Sequence, residues 1–268
     1  MSNQTRVTQF ILRGFSDARE LRFVVTSFFL FFYLFGLLGT SPLSQLYLEK
    51  ALVTSLLGSG YISYLECVAQ LYVFITLSST ESFLLTAMAY DLCLAILKPL
   101  GFPLNWSPMA WVSGAIFSAF HTFNTFSLPF CRPNLVEHFF CDIPSIMRLA
   151  CADYHLNEEV GFAVSICVVM SSFALTVLSY TWIVSAIVRI PAGEGRWKAF
   201  STCSSHLTTV VLFYGTGIFM YLRLASQYSP TQGRLASIFY SILTPTLNPV
   251  IYCLRDRDMK VALQKLFC

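Results

Sequence analysis

Met88-Ala89-Tyr90-Asp91-Leu92-Cys93 closes an apolar run that begins at Cys67 and carries one charge, Glu81, before it reaches Asp91. Runs of this kind recur along the chain. Phe23 to Leu48, Pro99 to Cys131, Val160 to Val188, Ala199 to Leu222 and Leu235 to Leu254 carry no formal charge at all. About 20 mostly apolar residues suffice to cross ~30 Å of hydrocarbon as a helix. The composition agrees. Charged residues make up 12% of 268, hydrophobic residues 56%, and the mean hydropathy is +0.64. A soluble domain carries about 25% charged residues, and a 30.2 kDa globule could not clothe its surface with so few. These intervals are therefore read as membrane spans rather than as core helices. The net charge of +3 is spread out, with no basic run, so nucleic acid is not a partner.

The N-terminal Met1 to Arg22 is polar and carries four arginines with no cleavage site after an apolar core, so the first span is expected to be a retained anchor. Asn3-Gln4-Thr5 is an N-glycosylation triplet if this end faces outward. A second match, Asn105-Trp106-Ser107, lies beside Lys98 on the expected cytoplasmic side and is discounted. Lysine and arginine in the short loops set the orientation. Lys98, Arg189, Arg196, Lys198, Arg255, Arg257, Lys260 and Lys265 mark the inside. The loop from Arg132 to Glu159 sets two arginines against Glu137, Asp142, Asp153, Glu158 and Glu159 and is expected outside. Six spans with an inner C-terminus leave the N-terminus inside as well, which conflicts with the Asn3 triplet. Only Leu43 to Leu57 is left to supply another crossing, and it holds Glu49 and Lys50 near its middle.

Cys131, Cys141 and Cys151 lie in the outer loop and Cys67 at the outer end of its span. Four cysteines on an oxidising face suggest two bridges, and spacing leaves three pairings open. Cys93, Cys167, Cys203, Cys253 and Cys268 lie in spans or inside. No Cys-X-X-Cys or His-X-X-His spacing points to a metal, and no nucleophile–base pair points to an enzyme, so neither a cofactor nor catalysis is expected. No internal repeat or paired broken helices suggests a transporter. Pro249, preceded by Asn248, is expected to kink the last span. Glu81 and His206 are polar groups at membrane depth, which face partners or water.

The chain resembles the vertebrate odorant receptors, which are rhodopsin-like G-protein-coupled receptors, along nearly its whole length. Phe10-Ile-Leu-Arg-Gly-Phe-Ser16 resembles the family's N-terminus. Met88 to Cys93, followed by Lys98-Pro-Leu100, resembles the end of its third helix. Phe139-Phe-Cys-Asp142 and Leu149-Ala-Cys151 resemble its second outer loop, and Ser179-Tyr180 its fifth helix. Lys198 to Cys203, Ser205-His-Leu207 and Phe213-Tyr-Gly-Thr216 resemble its sixth helix, and Pro245 to Tyr252 its seventh. The resemblance implies an all-α membrane protein, a rhodopsin-like seven-helix bundle with a truncated or missing second helix. Residues 1–268 would form one bundle, with an extracellular N-terminus (1–22), a long extracellular loop (132–159) and a cytoplasmic tail (255–268). It implies a multi-pass plasma-membrane protein, N-terminus outside and partly retained within the cell, that binds a small volatile organic ligand and meets a heterotrimeric G protein.

The residues implied follow from the same resemblance. The pairing would be Cys67 with Cys141 and Cys131 with Cys151, and Asn3 would carry the glycan. Ligand contacts would come from Phe74, Ile75, Ser78, Ser79, Val164, Val168, Tyr214, Ile218 and Tyr221, a mostly apolar set with a few hydroxyls. The coupling motif falls on Asp91, Leu92 and Cys93. Here the chain departs from the family pattern, in which an arginine and a tyrosine occupy positions 92 and 93. Gly39-Thr40 stands where the family has Gly-Asn, and most of its second helix has no counterpart. A degenerate receptor that no longer signals is therefore the second expectation.

Overall fold

The computed structural model describes residues 7–13, 59–97, 106–131, 134–136, 138, 140–191 and 193–226. The expected spans Phe23–Leu48 and Leu235–Leu254, the segment 43–57, Asn3, Asn248, Pro249 and the C-terminal tail lie outside the described residues. In chain order the elements are β1 (Gln9–Arg13), β2 (Ser59–Ser63), α1 (Tyr64–Leu97), α2 (Ser107–Phe126), β3 (Leu135–Val136), α3 (Ile143–Met147), α4 (His155–Arg189) and α5 (Glu194–Ser226). Among the described residues α1 and α4 are long and apolar enough to cross a membrane.

The helices start where their sequences supply partners for the first free N–H groups. Ser63 and Glu66 form a reciprocal cap on α1. The Glu66 carboxylate accepts the Ser63 N–H at 2.9 Å, and the Ser63 hydroxyl accepts the Glu66 N–H at 3.2 Å. This cap starts α1 before Cys67, earlier than the charge-free interval suggests. Pro108 sits in the first turn of α2, where its missing N–H costs nothing. Asp153 accepts the His155 N–H at 3.0 Å, and α4 therefore begins within the charged stretch ahead of Val160. With 34 and 35 residues, α1 and α4 are each roughly 50 Å long at ~1.5 Å per residue, well over the ~30 Å hydrocarbon core.

The contacts divide the described residues into two compact units. One takes residues up to Ser79 together with 111–166, and the other takes Thr80–Ala110 and 167–226. The first unit holds a three-stranded sheet, ordered β2-β1-β3, where only helices are expected. β1 pairs antiparallel with β2, Phe10 opposite Ile62, and parallel with β3, Leu12 opposite Val136. Phe10, Leu12, Ile62 and Val136 are buried on one face of that sheet, over Ile146, Leu149 and the Cys67–Cys141 bridge. Phe10, Tyr64, Phe126 and Phe130 add edge and stacked ring contacts at 5.4–6.4 Å. Also in this unit, α2 packs on α1 through small residues. Ser118 donates to the Tyr72 carbonyl at 2.5 Å, and Ser79 Oγ lies 3.4 Å from the Gly114 carbonyl. At the Asn124 turn, Asn124 and Asn157 donate to each other's carbonyl oxygens at 2.8 and 2.9 Å. Gly161 allows that approach, since a Cβ there would lie 3.3 Å from Asn124 Nδ2.

Candidate functional site

The loop between α2 and α4 is held by two disulfides, Cys67–Cys141 and Cys131–Cys151, the pairing implied by the resemblance. The first joins the start of α1 to the loop, and Gln70, one turn along α1, accepts the Cys141 N–H at 3.0 Å. The next residue, Asp142, caps α3 with extended backbone but no side-chain cap bond. Burial pushes its carboxyl up to about 6, against the opposing pull of the Ile143 N–H and the Arg148 guanidinium.

In the second unit the polar feature is a closed triangle of buried hydroxyls. Ser82 on α1 and Ser172 on α4 lie 3.0 Å apart. Tyr214 on α5 lies 3.2 Å from Ser82 and 2.8 Å from Ser172. All three residues are buried. Thr86 donates to the Ser172 carbonyl at 3.2 Å and Thr176 to Thr86 Oγ1 at 3.3 Å, which extends the polar seam along α1 and α4. Ser172 Oγ also has the Val169 carbonyl at 3.0 Å, so its proton bonds either its own helix or an edge of the triangle. Lone pairs remain on the cluster in both arrangements, so it can accept a hydrogen bond without bringing a charge to membrane depth. Phe173 and Phe213 flank the Tyr214 ring at 5.2 Å.

Further toward the Arg189 end of α4, Tyr180 and His206 stack at 5.8 Å. The Tyr180 hydroxyl lies 2.7 Å from His206 Nδ1 and 3.2 Å from the Cys203 carbonyl. Around them Cys93, Ile183, Ile187 and Cys203 form an apolar cluster, with Leu92, Ile96 and Ala199 packed against it. Leu92 is thus a packing residue here. Its neighbour Asp91 accepts a bond from Trp106 Nε1 at 3.1 Å. A groove of about 670 Å³ runs along α4 and α5 past Phe173, Thr176, Tyr180, Val210, Tyr214 and Gly215. Its Thr176 and Tyr180 hydroxyls are already engaged, so it offers mainly carbon.

The expected ligand residues divide between the units. Phe74, Ile75, Ser78, Ser79 and Val164 belong to the first, Val168 and Tyr214 to the second. Phe74 lies 5.7 Å from the Phe140 ring, and Ile75 and Ser79 are buried. Ser79 spends its proton on the Ile75 carbonyl at 2.6 Å, so it is a helix-packing residue. Ser78, Val164 and Val168 are half-buried. The side chains of Ile218 and Tyr221 lie outside the described residues. Tyr214 meets Ser82 and Ser172, neither of which the sequence reading singled out. Both are serines in serine-rich spans, and no spacing rule separates them from Ser78, Ser79 or Ser171. Among the described residues no group of His, Cys, Asp and Glu is placed to hold a metal.

The profile described as "Olfactory receptor" matches residues 23–268. The chain is 41% identical to olfactory receptor 2G3 of Homo sapiens, over 99% of this chain and 98% of that one. It is 38% identical to human olfactory receptor 5B12, over 99% and 96%, and 37% identical to olfactory receptor 5T17 of Mus musculus, over 99% and 93%. The first of these alignments runs over 302 residues against a chain of 268, so at least 34 of its positions (302 less 268) hold no residue of this chain. A profile match over residues 23–268 and identities of 37–41% along nearly the whole chain show one lineage, and the chain therefore belongs to the olfactory receptor family of multi-pass helical membrane receptors, which are not enzymes.

Proposed function

We propose that this chain binds a small, neutral, oxygen-bearing volatile molecule and does not drive a G protein. The observation that carries the ligand class is the Ser82–Ser172–Tyr214 triangle, a buried polar cluster made of hydroxyls alone. It suits one hydroxyl group on an otherwise apolar ligand, which can donate to a lone pair of the cluster, and its three members carry no charge of their own. Val168 belongs to the same unit as the triangle, and Phe74, Ile75, Ser78, Val164, Ile218 and Tyr221 are proposed contacts on the resemblance alone, with Ser79 in a supporting role.

The proposed loss of coupling rests on the motif at Asp91-Leu92-Cys93. Leu92 has neither charge nor donor and packs against the Ile183 cluster, and Asp91 is engaged by Trp106. A truncated second helix is supported by the unmatched alignment positions, which are enough for a helix of ~20 residues and its turn. An outside N-terminus is supported by the sheet. β1 lies between β2, at the outer start of α1, and β3, in the disulfide-tied loop. Residues 14–58 then cross the membrane an even number of times. We propose that 43–57, which carries Glu49 and Lys50, supplies a short return crossing after an anchor that begins at Phe23. Partial intracellular retention follows from that shortened span.

The test pairs two readouts on the purified and the expressed protein. A panel of neutral alcohols, with carboxylic acids and amines as the charged arm, is screened for thermal stabilisation of the chain in lipid nanodiscs. The same panel is screened for cyclic AMP in transfected cells. Stabilisation without cyclic AMP is expected, and Leu92→Arg alone does not restore signalling. Robust ligand-dependent cyclic AMP from the unaltered chain refutes the loss of coupling, and stabilisation only by charged ligands refutes the ligand class.

A further inference from the structure

The groove along α4 and α5 has a length, a lining and a basic end that together match one leaflet of a bilayer. Its volume is about 670 Å³. Four of its lining residues carry hydroxyls, and each is already engaged. Thr176 donates to the Ser172 carbonyl and Thr181 to the Leu178 carbonyl. Tyr180 meets His206 and the Cys203 carbonyl, and Tyr214 meets Ser82 and Ser172. An occupant therefore finds apolar contacts alone. The groove is open along its flank, since Val177, Val184, Leu207 and Val211 are 43–61% exposed. On α4 it runs from Phe173 to Val184, eleven residues or roughly 16 Å. Half of a ~30 Å hydrocarbon core is ~15 Å. Arg189 follows Val184 by five residues, roughly 8 Å further, about the depth of a headgroup. Ile183 on α4 and Cys203 on α5 meet in one cluster. Arg189 lies six residues beyond the first and Arg196 seven beyond the second, so both reach about the same level, roughly 9–10 Å past it. Both arginines are exposed. Beside Arg196, the exposed Trp197 stacks on Phe200 at 6.1 Å, and exposed indole rings settle at headgroup level.

We propose that this groove seats one anionic phospholipid of the leaflet at the Arg189 end, with an acyl chain along α4 and α5 and the phosphate held by Arg189 and Arg196. The acyl chain offers only carbon, which is what the groove accepts. The two guanidiniums supply the charge that the headgroup lacks. The site goes beyond the odorant reading and needs neither an odorant nor a G protein. Gly215 lies in the lining on α5, and a Cβ placed there would meet nothing within 4 Å among the described residues. A larger side chain at 215 therefore fills the groove without displacing a neighbour.

The experiment equilibrates the full chain with micelles holding equal amounts of palmitoyl-oleoyl phosphatidylglycerol and phosphatidylcholine. Native mass spectrometry then counts the lipid retained. The first lipid retained should be phosphatidylglycerol, by roughly fivefold or more. Arg189→Gln/Arg196→Gln should bring that preference below twofold, whereas Arg255→Gln/Arg257→Gln, in the other basic stretch, should leave it unchanged. Gly215→Leu should lower retention at least threefold, while Gly215→Ala, which leaves the groove open, should not. Val211→Trp fills the groove one turn away and should act as Gly215→Leu does. An unchanged helical circular dichroism signal selects the folded variants for comparison. The proposal is overturned by equal retention of the two lipids, by equal loss of preference in the two arginine pairs, or by full retention in the groove-filling variants. No odorant enters this test, so a failed ligand assignment leaves the lipid site standing, and an empty groove leaves the ligand assignment standing.

Discussion

Replacing Asp142 by asparagine should stabilise the outer loop at neutral pH, although it removes a helix-capping carboxylate. An N-cap aspartate ordinarily helps the helix it precedes. Here the side chain makes no cap bond, and burial lifts the carboxyl from 3.8 to about 6 in spite of the Ile143 N–H and Arg148. Because the folded value lies above the unfolded one, the ionised form is the costly one. The cost is fully present above about pH 6. It shrinks as pH falls through the interval between 6 and 3.8, and it vanishes below the unfolded value. Two pKa units correspond to roughly 3 kcal/mol. Asp142 as a whole residue is only half-buried, so this figure is an upper bound. For a chain of this size it amounts to a rise in melting temperature of at most ~5–10 °C. The assay is thermal unfolding of the full chain and Asp142→Asn in nanodiscs, side by side at pH 7.5 and pH 4. The variant should melt higher at pH 7.5, and the gap should close at pH 4. Comparing the two proteins at each pH removes the contribution of every other titrating group. A variant that melts lower at pH 7.5 refutes the reasoning, since the carboxylate would then be a net stabiliser of α3.

Three further outcomes follow from the described geometry. Removing Cys67–Cys141 should cost ~1 kcal/mol more than removing Cys131–Cys151, because the first closes 74 residues and the second 20; melting curves of the two double-serine variants check the order. Tyr214→Phe should cost only about 0.5–1 kcal/mol, because Ser82 and Ser172 still bond each other, and a Tyr214→Phe/Ser172→Ala double-mutant cycle should show coupling rather than additivity. Asn3 should carry a glycan, so endoglycosidase should sharpen the electrophoretic band and Asn3→Gln should abolish the change; an unchanged mobility in both cases argues for an N-terminus in the cytoplasm.

Apolar length and loop charge were enough to locate α1, α2, α4 and α5, but not their ends. The ends depend on short-range partners such as Ser63 with Glu66 and Asp153 with the His155 N–H, which a count of charge-free residues passes over. The sheet was not legible, because β1 is five residues long and one of its two partners is a pair of residues in a loop of the opposite half of the sequence. The disulfide pairing came from the resemblance, since spacing alone left three choices. Tyr214 was legible as part of a motif, while Ser82 and Ser172 were not. A serine within a span ordinarily bonds its own helix, as Ser79 does with Ile75 and Ser172 itself does with Val169, and only the meeting of three helices marks Ser172 out.

The place of β1 as the middle strand sets an order of events during synthesis. Gln9 is made early, but Asn134, which donates to its carbonyl at 2.6 Å, follows 125 residues later. At ~5–20 residues per second the first strand waits roughly 6–25 s for its second partner. During that time Phe10 and Leu12, shielded in the finished protein, lack Val136, Cys141, Ile146 and Leu149 of their cluster, and one row of backbone N–H and C=O groups has no strand to pair with. Residues Gln9–Arg13 are therefore made well before their second partner and become native only after it. That interval makes them a natural handle for the machinery that decides whether a newborn chain is released or destroyed.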